Sequence, residues 1–168
     1  MTATVSSAGP TPTGTVTFKN GSASLGSASL SGGVAKITKS TLPSGTLTIT
    51  AIYNGDAASK KSTSPPLTQV VNQATSTTAI VSSVNPSKVG QTVKFTATVT
   101  SPTTKLTGTV TFMDGSTVLG TGTVAAGSGK ASYSTSTLSA GSHNITAVYS
   151  GTANIGGSTS PVLVQTVN

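Results

Sequence analysis

The stretch Thr13–Phe18, with the sequence TGTVTF, decides the fold because it returns unchanged at Thr107–Phe112. Two later stretches also return in related form, Gly45–Tyr53 at Gly141–Tyr149 and Gln69–Asn72 at Gln165–Asn168. The early pair is offset by 94 residues and the later pairs by 96, so the second copy carries a two-residue insertion near Val124–Lys130. A repeat at a fixed period indicates that each copy is one structural unit.

The first copy begins later in the repeat than the second. Its register places Met1 opposite Phe95, so Gln73–Lys94, the opening 22 residues of the second copy, have no counterpart in the first. We therefore predict an N-terminally incomplete unit over 1–72 and a complete unit over 73–168. The four residues Asn72–Thr75 are expected to form a short linker, which would hold the two units end to end.

The composition indicates an all-β protein. Ser and Thr make up 61 of the 168 residues, together with 19 Gly, 8 Pro, and no Cys, Trp or Arg. Thr and Val favour a pleated, half-buried surface, while Gly, Pro, Asn and Ser supply the turns between strands. Charged residues are only 7% of the chain, which is unlike the highly charged composition typical of disorder. Since there is no Cys, stability must come from packing and hydrogen bonds rather than disulfides.

Short alternations of apolar and polar residues predict the strands. In Thr92–Thr100, for example, every second residue is apolar. No stretch shows a 3.6-residue apolar period, so the helix content should be near zero. The spacing is that of a β-sandwich, with about seven strands in the second copy. These are Thr77–Ser83, Thr92–Thr100, Gly108–Met113, Val118–Val124, Lys130–Thr135, Ser142–Tyr149 and Val162–Val167.

The inward positions of these strands predict the hydrophobic core. The expected core residues are Phe18, Tyr53, Phe95, Phe112, Leu138, Ile145 and Tyr149. Among the three Phe and three Tyr of the chain, Tyr133 alone does not occupy a core-like position. Tyr133 is therefore the candidate for contact with a ligand.

The charge pattern argues against nucleic acid and membrane partners. The net charge of +7 comes from nine lysines, with one adjacent pair, against two aspartates. The chain has no arginine for bidentate contacts to phosphate or guanine, and few aromatic residues on which bases could stack. Lysine on exposed strands instead discourages edge-to-edge pairing. Membrane insertion is not expected either, because no apolar run approaches the ~20 residues of a membrane span.

The sequence does not predict catalysis. The two acids, Asp56 and Asp114, are 58 residues apart in different copies, so neither unit can supply the carboxylate pair of a glycosidase. A Ser-His-Asp set can be assembled on paper from His143, the one histidine, and Asp114. However, no Gly-x-Ser-x-Gly elbow supports it. We expect His143 to hold a corner of the fold and Asp114 to serve as a hairpin turn residue.

Metal and cofactor sites are not predicted either. Calcium requires several oxygen ligands, including acidic ones, and the counterpart of Asp56 in the second copy is Thr152. A Lys–Asn isopeptide crosslink would need a buried acid beside the pair, whereas each acid lies in a turn. We therefore expect no catalytic, metal or cofactor-binding residue in this chain.

A longer pattern carries a resemblance to a known family. Both copies contain Gly-Thr-Val-Thr-Phe-x-Asp/Asn-Gly, then Leu-Gly, then Ser-Thr-Leu-x-x-Gly-x-x-x-Ile-Thr-Ala-x-Tyr-x-Gly, then Ser-Thr-Ser-Pro. This pattern resembles the bacterial Ig-like repeats of very long surface and secreted proteins, over nearly the whole chain. The resemblance implies two tandem immunoglobulin-like β-sandwiches, the first lacking its N-terminal strand, in an extracellular or cell-surface protein. The Leu138–His143 stretch is similar to the corner of such sandwiches, with His143 in the place of a tyrosine.

Two classes of function remain, and neither is enzymatic. The first is structural: a rod-like spacer or stalk, or the subunit of an extracellular filament in which a neighbour's β-strand completes the first unit. Its partners would be further copies of itself or neighbouring Ig-like repeats. The alternative is a carbohydrate-binding accessory module of a secreted hydrolase or adhesin, with surface glycans as partners and Tyr133 as the contact. The scarcity of aromatic residues favours the structural role.

Overall fold

The computed structural model describes residues 1–102 and 106–168, and these residues form β-strands and no helix. The chain divides into two units, Met1–Asn72 and Gln73–Asn168. The all-β fold predicted from composition and alternation is confirmed. Lys105, one of the nine lysines, lies outside the described residues.

The first unit places two sheets against one core. In the larger sheet the strand order is β3-β2-β5, and β6 and β7 pair with successive parts of the free edge of β5. The smaller sheet consists of β1 paired with β4. The strands are β1 (Thr2–Thr4), β2 (Thr15–Asn20), β3 (Ala23–Ser29), β4 (Val34–Lys36), β5 (Gly45–Tyr53), β6 (Ser62–Thr63) and β7 (Leu67–Val71).

The second unit repeats this plan and has one strand more. The larger sheet has the order β11-β10-β13, with β14 and β15 on the free edge of β13. The smaller sheet has three strands in the order β12-β9-β8. The strands are β8 (Thr77–Ser82), β9 (Val93–Thr100), β10 (Thr109–Asp114), β11 (Thr117–Thr123), β12 (Lys130–Thr135), β13 (Gly141–Tyr149), β14 (Ser158–Thr159) and β15 (Leu163–Val167).

Alternation along the strands produces the core of each sandwich. In β9, every second residue from Val93 to Val99 is buried while the residues between them are not, as expected for a strand with one face on the core. Side chains from the two sheets meet between them. The residues that the sequence places in the core are buried in both units: Phe18, Tyr53, Phe95, Phe112, Leu138, Ile145 and Tyr149.

The predicted strands of the second unit are present, with ends that differ by about one residue. The additional strand is β14, a two-residue pairing of Ser158–Thr159 with Val148 and Tyr149. Two residues cannot display an alternation, so pattern analysis had no means of finding it.

The register between β1 and β4 matches the register between β9 and β12. Ala3 pairs with Ala35 in the first unit, and Ala97 pairs with Ala131 in the second. Those positions correspond through the offsets of 94 and 96 residues, because the two-residue insertion lies in the intervening turn. Strand β1 is therefore the counterpart of the middle of β9. Within Met1–Asn72, no strand corresponds to β8.

Candidate functional site

The strongest candidate for chemistry is the pair His143 and Asp114. The hairpin from β10 to β11 turns at Gly115, whose φ of 56° suits glycine, and this turn holds Asp114 beside β13. The Nδ1 atom of His143 lies 2.6 Å from Oδ2 of Asp114, and its Nε2 atom lies 2.9 Å from the carbonyl oxygen of Ser139. Both partners are acceptors, which favours the doubly protonated ring. The Ser139 carbonyl and then the Asp114 carboxylate raise the pKa of His143 above its ordinary value.

This arrangement holds a corner and leaves no ring nitrogen available as a base. The contact to Ser139 closes the turn that leads into β13, and Oδ1 of Asp114 accepts a hydrogen bond from the Asn144 N–H at 3.0 Å. The first unit makes the same turn contact without a histidine or an acid, since Oδ1 of Asn20 accepts from the Thr48 N–H at 3.1 Å. The two copies therefore share a structural hydrogen bond at this position. A general base needs a free nitrogen, and both ring nitrogens of His143 are already bonded.

Asp56 is also used by the fold. Its Oδ2 atom accepts hydrogen bonds from the Thr13 N–H at 2.7 Å and the Thr13 hydroxyl at 2.9 Å. Its Oδ1 atom accepts from the N–H groups of Ala58 and Ser59 at 2.9 and 2.6 Å. These donors, with Thr13 first, hold the pKa of Asp56 well below its usual range. The carboxylate is therefore a loop clamp, and no group of three or more His, Cys, Asp or Glu suited to a metal occurs in the described parts of the chain.

The side chain of Tyr133, the candidate ligand contact, is half-buried against the core. Its ring stacks on Phe112, with the ring centroids 6.0 Å apart and the planes inclined by 26°. The ring also lies directly over Gly120, the cross-strand neighbour of Phe112, where a Cβ atom would overlap the ring. The Tyr133 ring is thus held by packing against these two neighbouring positions of the larger sheet. Contact between Tyr133 and a ligand stays a prediction.

The first unit contains a groove lined by apolar residues and by Ser and Thr. It has a volume of about 510 Å³ and opens between β1 and the edge formed by β5, β6 and β7. Its apolar floor includes Phe18, Ile49 and Tyr53. The hydroxyl of Tyr53 is buried with no hydrogen-bond partner among the described residues, and burial together with the charge of Asp56 raises its pKa.

In the second unit β8 occupies the place equivalent to this groove. Strand β8 contacts β13, β14 and β15 and pairs with β9. As a result Leu163 of β15 is half-buried, whereas its counterpart in β7, Leu67, is 60% exposed.

Sequence reasoning missed a pair of corresponding glutamines, Gln165 in β15 and Gln69 in β7. Gln165 is fully buried at 0% exposure, while Gln69 is exposed. The signal was present in the alternation, because Leu163, Gln165 and Val167 share one inward face. A polar side chain on a core face requires hydrogen-bond partners, and that requirement points to a segment lying over it.

The family comparison agrees with the all-β architecture. A family model described as bacterial Ig-like domain (group 3) matches residues 1–72 and 80–168. None of the curated proteins matches the chain. A solved structure of fibronectin(III)-like modules of CbhA from Clostridium thermocellum is 21% identical, covering 99% of this chain and 82% of that chain, with a TM-score of 0.40. No helix in the described residues is long and apolar enough to span a bilayer.

Proposed function

The chain belongs to the family of bacterial Ig-like domains (group 3), and from this membership we propose that it is a structural repeat segment of an extracellular or cell-surface protein. Domains of this family are typically non-catalytic and often occur in extracellular or surface proteins. The observation that carries the proposal is the use of every acid and the one histidine in turns and corners. Groups already bound in that way hold a shape and leave no reactive atom for a substrate.

Within such a protein the proposed role is that of a rod-like spacer. Within the predicted linker Asn72–Thr75, Ala74 is hydrogen-bonded to the second unit through both its N–H and its carbonyl. The Ala74 N–H donates to the carbonyl of Asn154 at 2.9 Å, and the Gly156 N–H donates to the carbonyl of Ala74 at 2.8 Å. Ala74 is therefore held within the second unit, which leaves fewer residues of the predicted linker free.

Small-angle X-ray scattering tests the spacer role directly. The whole chain is compared with a variant in which six Gly-Ser residues are inserted between Asn72 and Gln73. We expect the natural chain to give an extended, narrow distribution of interatomic distances and the insertion to broaden it, because Gly-Ser linkers behave as flexible coils. Identical distributions for the two proteins, or a compact particle for the natural chain, would contradict the spacer proposal.

A further inference from the structure

We propose that two copies of this chain associate through the outer face of the larger sheet of the second unit, the face turned away from the core, and that each copy uses the same face. The inference rests on the proposed structural role and deepens it by naming a contact between neighbouring chains. The two proposals fail separately, because scattering at low concentration reports the shape of a single chain whether or not chains associate. The argument comes from the side chains on this outer face and from the same face of the first unit.

Apolar side chains are grouped on the outer face of the second unit. Val118 of β11 pairs across the sheet with Met113 of β10, which in turn pairs with Thr146 of β13. Val148 of β13 and Val164 of β15 lie on the same side of the sheet, because the residues next to them in their strands point into the core. Val118 and Val164 are 59% and 50% exposed. Apolar side chains that are grouped rather than scattered on a surface indicate an interaction site.

The outer face of the first unit is polar at the corresponding positions. Lys19 takes the place of Met113, and its cross-strand neighbour Ser24 takes the place of Val118. The two larger sheets share the same strand order and the same pairing at these positions. The fold therefore does not require apolar side chains there. Burial against a partner supplies the reason for them in the second unit.

The distribution of charge indicates that the partner is another copy of this chain. The net charge of +7 makes two copies repel each other, so they approach most easily where lysines are absent. Among the described residues of the second unit, none of the lysines lies in a strand of the larger sheet: Lys88 lies in the turn before β9, Lys94 in β9 and Lys130 at the start of β12. The one acid of the larger sheet, Asp114, is bonded to His143. The outer face is therefore the side on which two copies meet without bringing lysines together.

A symmetric contact between two identical faces also requires that the face carry no charge near its centre. In such a pair the same patch of each copy lies against the other, so a charge at the centre would meet its own copy or lose its hydration. Met113 and Val118 meet this requirement, whereas the face of the first unit, with Lys19 at its centre, does not. A strongly charged partner would find no counter-charge among these side chains. The chemistry of the face thus fits a second copy of itself.

The size of the outer face sets the strength of the contact. The strands β11, β10, β13 and β15 lie about 4.8 Å apart and are about six residues long, so the face covers roughly 400 Å² on each copy. A standard stable interface takes about 800 Å² from each partner, so this contact is weak and reversible. Weak contacts act together when many chains are held side by side, as on a cell surface. The association therefore suits lateral contact between neighbouring chains rather than a permanent dimer.

Association is measured by sedimentation velocity of the full chain over a range of concentrations. We expect a reversible equilibrium between monomer and dimer with a Kd on the order of 0.1–1 mM. Met113→Lys, which introduces the residue that the first unit carries at this position, should weaken association at least about tenfold because the ammonium group must be desolvated in the contact. Val81→Lys is the matched control, since it adds the same charge at a 60% exposed valine of β8 in the smaller sheet. It should change the Kd by less than about twofold.

Amide NMR shifts of the natural chain, followed as its concentration rises, locate the contact without any substitution. We expect the changes to be confined to β10, β11, β13 and β15, and spectra of the Met113→Lys chain to keep the signals of a folded second unit. A chain that stays monomeric over the whole range overturns the proposal. So do shift changes centred on the smaller sheet or on the first unit, and an equal loss of association in Met113→Lys and Val81→Lys.

Discussion

Replacement of Gln165 by methionine should destabilise the second unit strongly, while Gln69→Met should leave the first unit nearly unchanged. Methionine conserves the length of the side chain, so the change isolates hydrogen bonding from volume. At Gln165, which is 0% exposed, the substitution removes the amide donor of the Ser87 hydroxyl and the acceptor of the Ser82 hydroxyl, and leaves the Val84 carbonyl with the Ser82 hydroxyl alone at 3.0 Å. Each unsatisfied buried group costs about 1–3 kcal/mol, so the expected loss is about 3 kcal/mol.

The first unit provides the matched control, because Gln69 is exposed and bonded only to its neighbour Val70. Surface substitutions of this kind stay within about 0.5 kcal/mol. Urea unfolding of the full chain, followed by amide NMR signals assigned separately to the two units, measures both effects in one sample. Equal destabilisation of the two units, or a change below about 1 kcal/mol at Gln165, would refute the view that the buried amide ties the opening segment to β15.

Three further outcomes are expected from single substitutions. Phe112→Ala should lower the free energy of unfolding by about 3–5 kcal/mol and Thr111→Ala by less than about 0.5, both measured by thermal unfolding. Equal effects would mean that the register assigned to this strand is wrong. Tyr149→Phe should lower the free energy of unfolding by about 1 kcal/mol, because the Tyr149 hydroxyl donates to the Thr107 carbonyl at 2.7 Å. Tyr53→Phe should not lower the melting temperature, because the Tyr53 hydroxyl has no hydrogen-bond partner among the described residues. The pKa of His143 in the folded protein lies above its ordinary value of 6.5. The protonated ring therefore stabilises the second unit fully below pH 6.5, and this stabilisation is lost as pH rises through the folded pKa. Urea unfolding of the second unit at several pH values should show the decline, and a decline that persists in His143→Gln would mean that another group causes it.

The fold could be predicted largely because apolar and polar residues alternate regularly along its strands. The second copy of the pattern also supports the strand assignments made in the first. The register of β1 followed from aligning Met1 with Phe95, although three residues alone carry no pattern. The contact between His143 and Asp114 could not be predicted from pattern, since 29 residues separate them and only the pairing of β10 with β13 brings them together. The partners of Gln165 were equally out of reach, because they come from a turn more than 75 residues earlier in the chain.

The parallel pairing of Ser87 with the end of β15 has a consequence for how the second unit bears tension. A force pulling the chain from both ends loads these hydrogen bonds along the strand direction, so Ser87 and Val89 must release their three bonds to β15 together rather than one after another. Forced unfolding is governed by the rate of crossing that barrier rather than by equilibrium stability. Under load, these three bonds should therefore set the force at which the second unit yields.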